Sequence, residues 1–457
     1  NPLIVRDLQA RGRLLKAEEV RHQYPHCWRC RGPVVFRATE QWFASVEGFR
    51  RQALEAIDGV RWIPPWGRER IRGMVAERGD WCISRQRVWG VPIPVFYCED
   101  CRAVLVSDET IRAVADLFRR EGSESWWRLP ASAILPAGTR CPSCGGGRFR
   151  KESDTMDVWF DSGSSHAAVL TEHPELGWPA DLYLEGSDQH RGWFQVSLLT
   201  AVATRGQAPF RAVLTHGFVL DGQGRPMHKS LGNAVDPQEV VDRYGADILR
   251  LWVAASDFRE DVSLSEEILA QLAEGYRRIR NTCRFLLGNL HDFDPVRDAL
   301  PLEALREIDR WAVAAARRLA RRVVDGYRNY EFHLCYQALH NFCVVELGGF
   351  YLDALKDRLY CEGPASPERR SAQTALWHIL QTLVRLMAPI LAFTAEDVWD
   401  HLPEAGRTEP SVHLTGWQEL WAGPGVEEDG AILERWEAVW TLRRAVTRAL
   451  EEARSRK

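Results

Sequence analysis

Ala212-Val213-Leu214-Thr215-His216-Gly217-Phe218-Val219-Leu220-Asp221-Gly222-Gln223-Gly224-Arg225-Pro226-Met227-His228-Lys229-Ser230-Leu231-Gly232-Asn233 is the segment on which the fold turns. Residues 212–220 are a nearly continuous apolar run, the pattern of a strand buried on both faces. The Asp-Gly and Gln-Gly pairs predict a tight turn. A cationic loop with Lys229 and Ser230 follows, and Asp236-Pro237 predicts a helix start, an N-cap acid before a first-position proline. Strand, glycine-bearing turn, Lys-Ser and helix is an order that can place an ammonium on a phosphate. An exposed hairpin with one solvated lysine fits these residues equally well, so the flanking sequence has to decide.

Upstream, residues 180–184 predict another strand, followed by the polar loop Glu185-Gly186-Ser187-Asp188-Gln189-His190-Arg191-Gly192-Trp193-Phe194 and a helix to Thr204, capped by Ser187 or Asp188. Two consecutive strand–loop–helix units make half of a doubly wound α/β domain, whose ligands bind where strands end and helices begin. No Gly-x-Gly-x-x-Gly follows a strand and no P-loop is present, which argues against dinucleotide and P-loop chemistry. Downstream of Tyr244 the pattern is helical: 264–290, 303–328, 331–358, 369–388, 393–402 and 428–456 read as amphipathic helices of an all-α bundle. Ser263-Leu264-Ser265-Glu266 reads as a capping box. The cluster Arg277, Arg278 and Arg280 is either a solvated face or an RNA-phosphate contact.

The first fifty residues predict a short polar helix at 18–23 and a strand at 34–39. Of eleven cysteines, six fall in the pairs Cys27/Cys30, Cys98/Cys101 and Cys141/Cys144, the economy of an intracellular zinc protein rather than a secreted disulfide scaffold. Cys98, Cys101, Cys141 and Cys144 make a Cys-x2-Cys…Cys-x2-Cys set around the insert 102–140, which carries a helix at 108–120. Four thiolates leave no open position, so this Zn²⁺ is structural. Cys27 and Cys30 form half a site whose mate lies elsewhere, or a metal-free pair. His22 and His26 are four apart, but Pro25 breaks any helix and no Glu follows His22, so a metalloprotease is excluded. In Asp80–Pro92, Arg85 and Arg87 lie among tryptophans, which suits phosphate or a single-stranded nucleic-acid end as well as a surface strand paired to acids. Asp157 and Asp161 flank Trp159-Phe160 and read as acid–base or magnesium ligands, or as a capped turn, the reading we favour.

At 457 residues, with 45% apolar and 27% charged residues, the chain has room for two to four domains. The net charge of −4 offers no global attraction for nucleic acid, so any such contact needs local basic patches. No uncharged run reaches membrane-spanning length and nothing near Asn1 resembles a signal peptide. The start at Asn1 without Met and the uncapped end at Lys457 read as a fragment cut at both ends.

Taken together, Phe36–Thr39, Gln41–Phe43, Asp80–Pro92, Asp157–Gly163, Leu184–Phe194, Leu214–Gly217, Lys229–Asn233 and Tyr244–Trp252 resemble the class I aminoacyl-tRNA synthetases, and within them the bacterial isoleucyl branch. Valyl and leucyl enzymes share the lysine loop, but the Glu185–Trp193 phrase is distinctive of the isoleucyl branch. The resemblance implies a return segment from an editing insert at 1–50 and a zinc-bearing catalytic insert at 51–165. It further implies the second half of a Rossmann-like catalytic domain at 166–265 and an anticodon-binding bundle at 266–457. Glu185, Gly186, Asp188, Gln189 and Trp193 would hold the aminoacyl-adenylate, His216 and Gly217 would meet ATP, and Lys229 with Ser230 would act on the phosphates, assisted by Mg²⁺. Arg85, Arg87, Arg277, Arg278 and Arg280 would face tRNA. The implied protein is a cytoplasmic, monomeric ATP-dependent ligase acting on isoleucine and tRNA(Ile). The alternatives are a valyl- or leucyl-type enzyme and a non-catalytic tRNA-binding relic. Three features depart from the family: Pro226 stands for the first lysine of the Lys-Met-Ser-Lys-Ser signature and His228 for its first serine. No His-x-Gly-His occurs, and little of the editing domain is present.

Overall fold

The apolar run forms the middle of a three-stranded parallel sheet in a computed structural model that describes residues 2–27, 30–227, 232–421, 427 and 429–455. Phe210–His216 pairs with Arg61–Ile63 on one side and with Ala180–Gly186 on the other. Ala212, Val213, Leu214 and Thr215 are all buried, as a central strand covered on both faces requires. Asp236 caps the helix Pro237–Tyr244 as expected, its carboxylate accepting from the Gln238 N–H at 2.9 Å.

The run 212–220 is not one strand. It breaks at Gly217 and resumes as Val219–Leu220, which pairs in parallel with Val262–Ser263. The Gly217 N–H donates to Phe258 O at 2.9 Å, and a Cβ on Gly217 would lie 2.3 Å from Glu260 O. A backbone contact from forty residues downstream thus ends the strand. Gly217→Ala is expected to cost about 1–3 kcal/mol by overpacking, read as a lowered urea midpoint. Gly222→Ala, whose Cβ would meet nothing nearer than 3.4 Å, should leave the midpoint nearly unchanged.

The chain divides into two compact units. One comprises residues 1–54, 75–169 and 196–207. It holds short antiparallel pairings: Phe43–Ala44 with Trp81–Cys82, Ser84–Arg85 with Thr155–Met156, and Val104–Leu105, Phe96–Cys98 and Phe149–Lys151 in one small sheet. The helix Asp108–Glu121, capped by Ser107, buries Val114 and Leu117 in a cluster with Phe96, Trp126 and Ile134. The expected helix at 18–23 is absent; a helix spans Pro2–Ala10 instead. Residues 34–39 form no strand either: Val35 and Phe36 are 82% and 78% exposed, and a strand without a partner leaves its backbone unpaired.

The other unit comprises residues 55–74, 170–195 and 208–457, and so contains the parallel sheet and the bundle. Its main helices are Ala246–Ala255, Glu266–Gly288, Glu307–Arg328, Phe332–Asn341, Pro367–Met387, Ala392–Asp400 and Asp429–Ser455. The core runs through Trp311, Leu380, Leu383 and Trp399, so amphipathic periodicity located the bundle correctly. Two details differ. The cap before Glu266 is Ser265, which accepts from Ile268 N, because Ser263 is already committed to the strand pair with Leu220. The predicted helix 331–358 changes to π-helical winding over Phe342–Tyr351, where Gly348 and Gly349 weaken α-helical preference. Among the described residues no helix is long and apolar enough to cross a membrane.

Candidate active site and metal centre

The carboxyl edge of the parallel sheet brings together two groups far apart in sequence. Register pairs Glu185 with Thr215 and Gly186 with His216, and the Glu185 carboxylate lies 4.0 Å from His216 Nε2. His216 Nδ1 donates to Gly217 O at 2.8 Å, which leaves Nε2 turned toward Glu185. Both side chains are about half exposed, so the corner is open to a ligand. Glu185 also accepts from the Gly186 N–H at 3.1 Å. A Cβ on Gly186 would stand 3.5 Å from the His216 ring, so glycine keeps this corner clear.

Beyond Gly186 the chain makes a 3-10 turn, Ser187–His190, before the helix Trp193–Arg205. Neither Ser187 nor Asp188 caps that helix. Gln189 does so instead, its carbonyl oxygen accepting from the Trp193 N–H at 2.9 Å. Gln189, three residues beyond Gly186 and four before Trp193, has a side chain long enough to reach the helix start, whereas Ser187 and Asp188 are shorter and lie further back in the turn. Asp188 is exposed, and Trp193 stacks on Tyr183 with ring centroids 4.0 Å apart. Glu185, Gly186, Asp188, Gln189, Trp193, His216 and Gly217 thus occupy one sheet edge.

His228, Lys229, Ser230 and Leu231 lie outside the described residues. The residues flanking them are ordered by Asp221. Its carboxylate accepts from the Gln223 N–H at 2.9 Å, the Arg225 N–H at 2.9 Å, Arg225 Nε at 3.0 Å and Asn233 Nδ2 at 3.0 Å. The Asn233 amide, then the Arg225 backbone, hold Asp221 far below the usual carboxylate range. Pro226 fits this hairpin without loss. The N–H groups on either side are the ones used, Arg225 toward Asp221 and Met227 toward Val219 O. Asp221, Asn233 and the buried His190 were not singled out from sequence; an Asp before Gly-x-Gly is the only signal that could have marked the first.

The second unit's basic helix residues are partly committed: Arg277 and Arg278 both pair with Glu274, while Arg280 is exposed. In the first unit, Arg85 pairs with the buried Asp157 at 2.9 Å, and Trp81 Nε1 donates to the same carboxylate at 3.0 Å. Asp157 also caps the helix Val158–Gly163, so the capped-turn reading holds and Arg85 is paired to an acid rather than left for phosphate. Asp161 is raised above the usual carboxylate range by burial and by Asp157. Arg87 is exposed beside Trp89.

Cys98, Cys101, Cys141 and Cys144 converge, their sulfurs all within 4.8 Å of one another. Cys98–Cys144 and Cys101–Cys141 are each 3.6 Å apart, against edges of about 3.8 Å for a tetrahedron of ~2.3 Å Zn–S bonds. The two pairs are built alike. Cys98 N donates to Ala103 O and Cys98 O accepts from Arg102 N; Cys141 does the same with Gly146 O and Gly145 N. Arg102 and Gly145 both adopt positive φ, 62° and 76°. The Ser143 N–H draws the Cys141 thiol down to about 7. Although the Gly146 N–H lowers Cys144, the Cys101 and Cys98 sulfurs outweigh it and push that thiol up to about 12. Four sulfurs this close cannot all ionise without a cation among them, so the set fits zinc. Cys27 has the same turn: Cys27 N to Gly32 O, Arg31 N to Cys27 O, and Arg31 at φ 59°. It is a third preformed knuckle, and among the described residues no second pair meets Cys27 and Cys30.

With this architecture in view, residues 7–265 match the family described as tRNA synthetases class I (I, L, M and V), and residues 309–457 match the anticodon-binding domain of tRNA ligase. The chain belongs to the class I tRNA synthetases. Within that class it is 59% identical to the isoleucine--tRNA ligase of Carboxydothermus hydrogenoformans and 57% identical to that of Moorella thermoacetica, across 100% and 99% of this chain. It spans about half the length of these curated relatives, 49% and 48%. Two solved structures share the fold. Mycobacterium tuberculosis methionyl-tRNA synthetase bound by methionyl-adenylate has a TM-score of 0.59 at 18% identity, over 82% of this chain and 66% of that one. Agrobacterium radiobacter K84 LeuRS in a ternary complex with tRNA and LeuAMS has a TM-score of 0.54 at 22% identity, over 78% and 43%.

Proposed function

We propose that this chain carries the adenylate corner and the tRNA-binding helices of an isoleucine--tRNA ligase, which joins isoleucine to ATP, releases pyrophosphate and passes the acyl group to the terminal ribose of tRNA(Ile). The observation that carries the reading is the Glu185–His216 corner at the carboxyl edge of a parallel sheet, the place where such sheets bind nucleotides. Glu185 offers a carboxylate to the substrate ammonium or a hydroxyl. Gly186 admits the ligand backbone beside His216, and Asp188 reaches toward the ribose. Gln189 and Trp193 line the amino-acid side, and His216 with Gly217 borders ATP. Lys229, aided by Ser230, neutralises charge growing on the α-phosphate of MgATP as pyrophosphate leaves. Zinc at the four cysteines shapes the insert and takes no part in the chemistry. Arg87, Arg277, Arg278 and Arg280 are exposed cations of the tRNA-facing set, with Arg277 and Arg278 sharing Glu274 and Arg85 paired to Asp157. On this reading the protein is a cytoplasmic monomer.

The test is isoleucine-dependent ATP–pyrophosphate exchange. The 457-residue chain, whose sequence holds no His-x-Gly-His, is expected to give none by itself. Joined to the part of the Carboxydothermus ligase that it does not match, it should exchange with isoleucine in preference to valine or leucine. In that protein Lys229→Ala should lower kcat by roughly 10²–10³ while the isoleucine KM changes little. Exchange driven by valine or leucine would reassign the substrate. No exchange with tRNA binding retained would leave a tRNA-binding protein.

A further inference from the structure

His190 sits in the middle of the adenylate loop, yet its side chain points away from the open corner. It is 0% exposed, among Trp62, Trp66 and Phe194, with ring centroids at 6.1, 5.5 and 5.4 Å. Nδ1 lies 3.2 Å from Ser187 O. A carbonyl only accepts, so Nδ1 carries the proton and Nε2 is a bare acceptor. Nε2 is buried with no hydrogen-bond partner among the described residues. It faces Gly67, where a Cβ would stand 3.2 Å away, but the Gly67 N–H is already given to Pro64 O. Burial first of all, with Arg70 adding to it, brings the ring down to about 4, so it stays neutral in the physiological range.

A buried acceptor without a partner is a defect that a leucine or phenylalanine would avoid. What the imidazole supplies in exchange is its other nitrogen, which closes the turn from Ser187 to His190. Gln189 closes the next step by capping Trp193. The two bonds close the loop directly after Glu185 and Gly186.

Resting on the functional reading above, we propose that His190 is a positioning residue for adenylate formation: its Nδ1–H on the Ser187 carbonyl, with the ring held between Trp62 and Trp66, sets the loop that presents Glu185 and Gly186 to the ligand.

The experiment compares three variants in the exchange-competent protein described above. Asparagine places an amide N–H near the Nδ1 position, glutamine places it near Nε2, and phenylalanine offers none. His190→Asn should keep kcat/KM within about 3-fold of the unaltered protein. His190→Gln and His190→Phe should lose roughly 30- to 100-fold, mostly in kcat, the scale of a displacement near 1 Å. His190→Phe should nevertheless melt no lower than the unaltered protein, which separates positioning from loss of fold. In ¹⁵N-histidine spectra of the 457-residue chain, His190 should show the Nδ1-protonated tautomer and no titration between pH 5 and 8. Full activity of His190→Phe, equal losses in Asn and Gln, or an Nε2-protonated ring would overturn the proposal alone. Absence of exchange in the unaltered protein would overturn the functional reading and this one with it.

Discussion

Cys141→Ser is expected to take the protein from about one zinc per chain to background and to loosen the insert around residues 96–151. The scale follows from the ligand set. Structural zinc sites bind with apparent free energies of about 10–16 kcal/mol at neutral pH, and that energy is available only to the folded knuckles. Three thiols and a hydroxyl lose most of it, since the hydroxyl does not ionise to a soft ligand. The insert keeps a small core of its own, Phe96, Leu105, Val114, Leu117, Trp126 and Ile134, so the loss is local rather than global. Trp126 is the built-in reporter: it is fully buried against Phe96, and its Nε1–H donates to Glu152 O at 3.1 Å. Near-ultraviolet dichroism should fall with metal content, measured by mass spectrometry after gel filtration. Cys361→Ser, at an exposed site in the other unit, should leave both unchanged. Zinc retained by Cys141→Ser, or absent from the unaltered protein, would remove the metal centre.

Asp309→Ala should be the most damaging single change in the helical bundle, at about 3–5 kcal/mol. Asp309 is 0% exposed and lies in the first turn of the helix Glu307–Arg328, where the helix dipole favours an anion. Its two oxygens accept from Arg358 at 2.7 and 2.9 Å, Tyr351 Oη at 2.7 Å and Ser371 Oγ at 2.6 Å. Alanine would leave a mostly buried guanidinium and a fully buried phenol without their acceptor. The cost comes from those orphaned partners more than from the bonds removed. The double change Asp309→Leu with Arg358→Met should therefore recover much of the loss, because an apolar pair of similar volume needs no desolvated charge. Guanidinium unfolding followed by helical dichroism measures both. A loss below about 1 kcal/mol for Asp309→Ala, the size of an exposed pair, would show that water already reaches this carboxylate.

Sequence reading was strongest where the signal is local. Each Cys-x-x-Cys turn is closed by hydrogen bonds within five residues, so its geometry is written in its own spacing. The same holds for Asp236-Pro237 at a helix start and for the bundle helices, whose apolar stripe recurs every turn. The resemblance to the isoleucyl branch rested on short phrases of this kind, and the family assignment agrees with it.

Partners distant in the chain were the part that composition and periodicity could not supply. Arg85 suited phosphate and an acidic partner equally until the fold set Asp157 beside it. Ser263 looked like a helix cap until Val219–Leu220 claimed it for a strand pair. Residues 34–39 carried strand-forming side chains but found no neighbouring strand, and the run 212–220 was cut by the approach of Glu260 to Gly217. The inward turn of His190 depends on Trp62 and Trp66, more than a hundred residues upstream. Cysteine knuckles, helices and the parallel strand are thus legible from residues near one another along the chain, because their hydrogen bonds close over a few positions. The direction in which each polar side chain of the Glu185–Trp193 loop points is not, because it depends on which distant surface is packed against it.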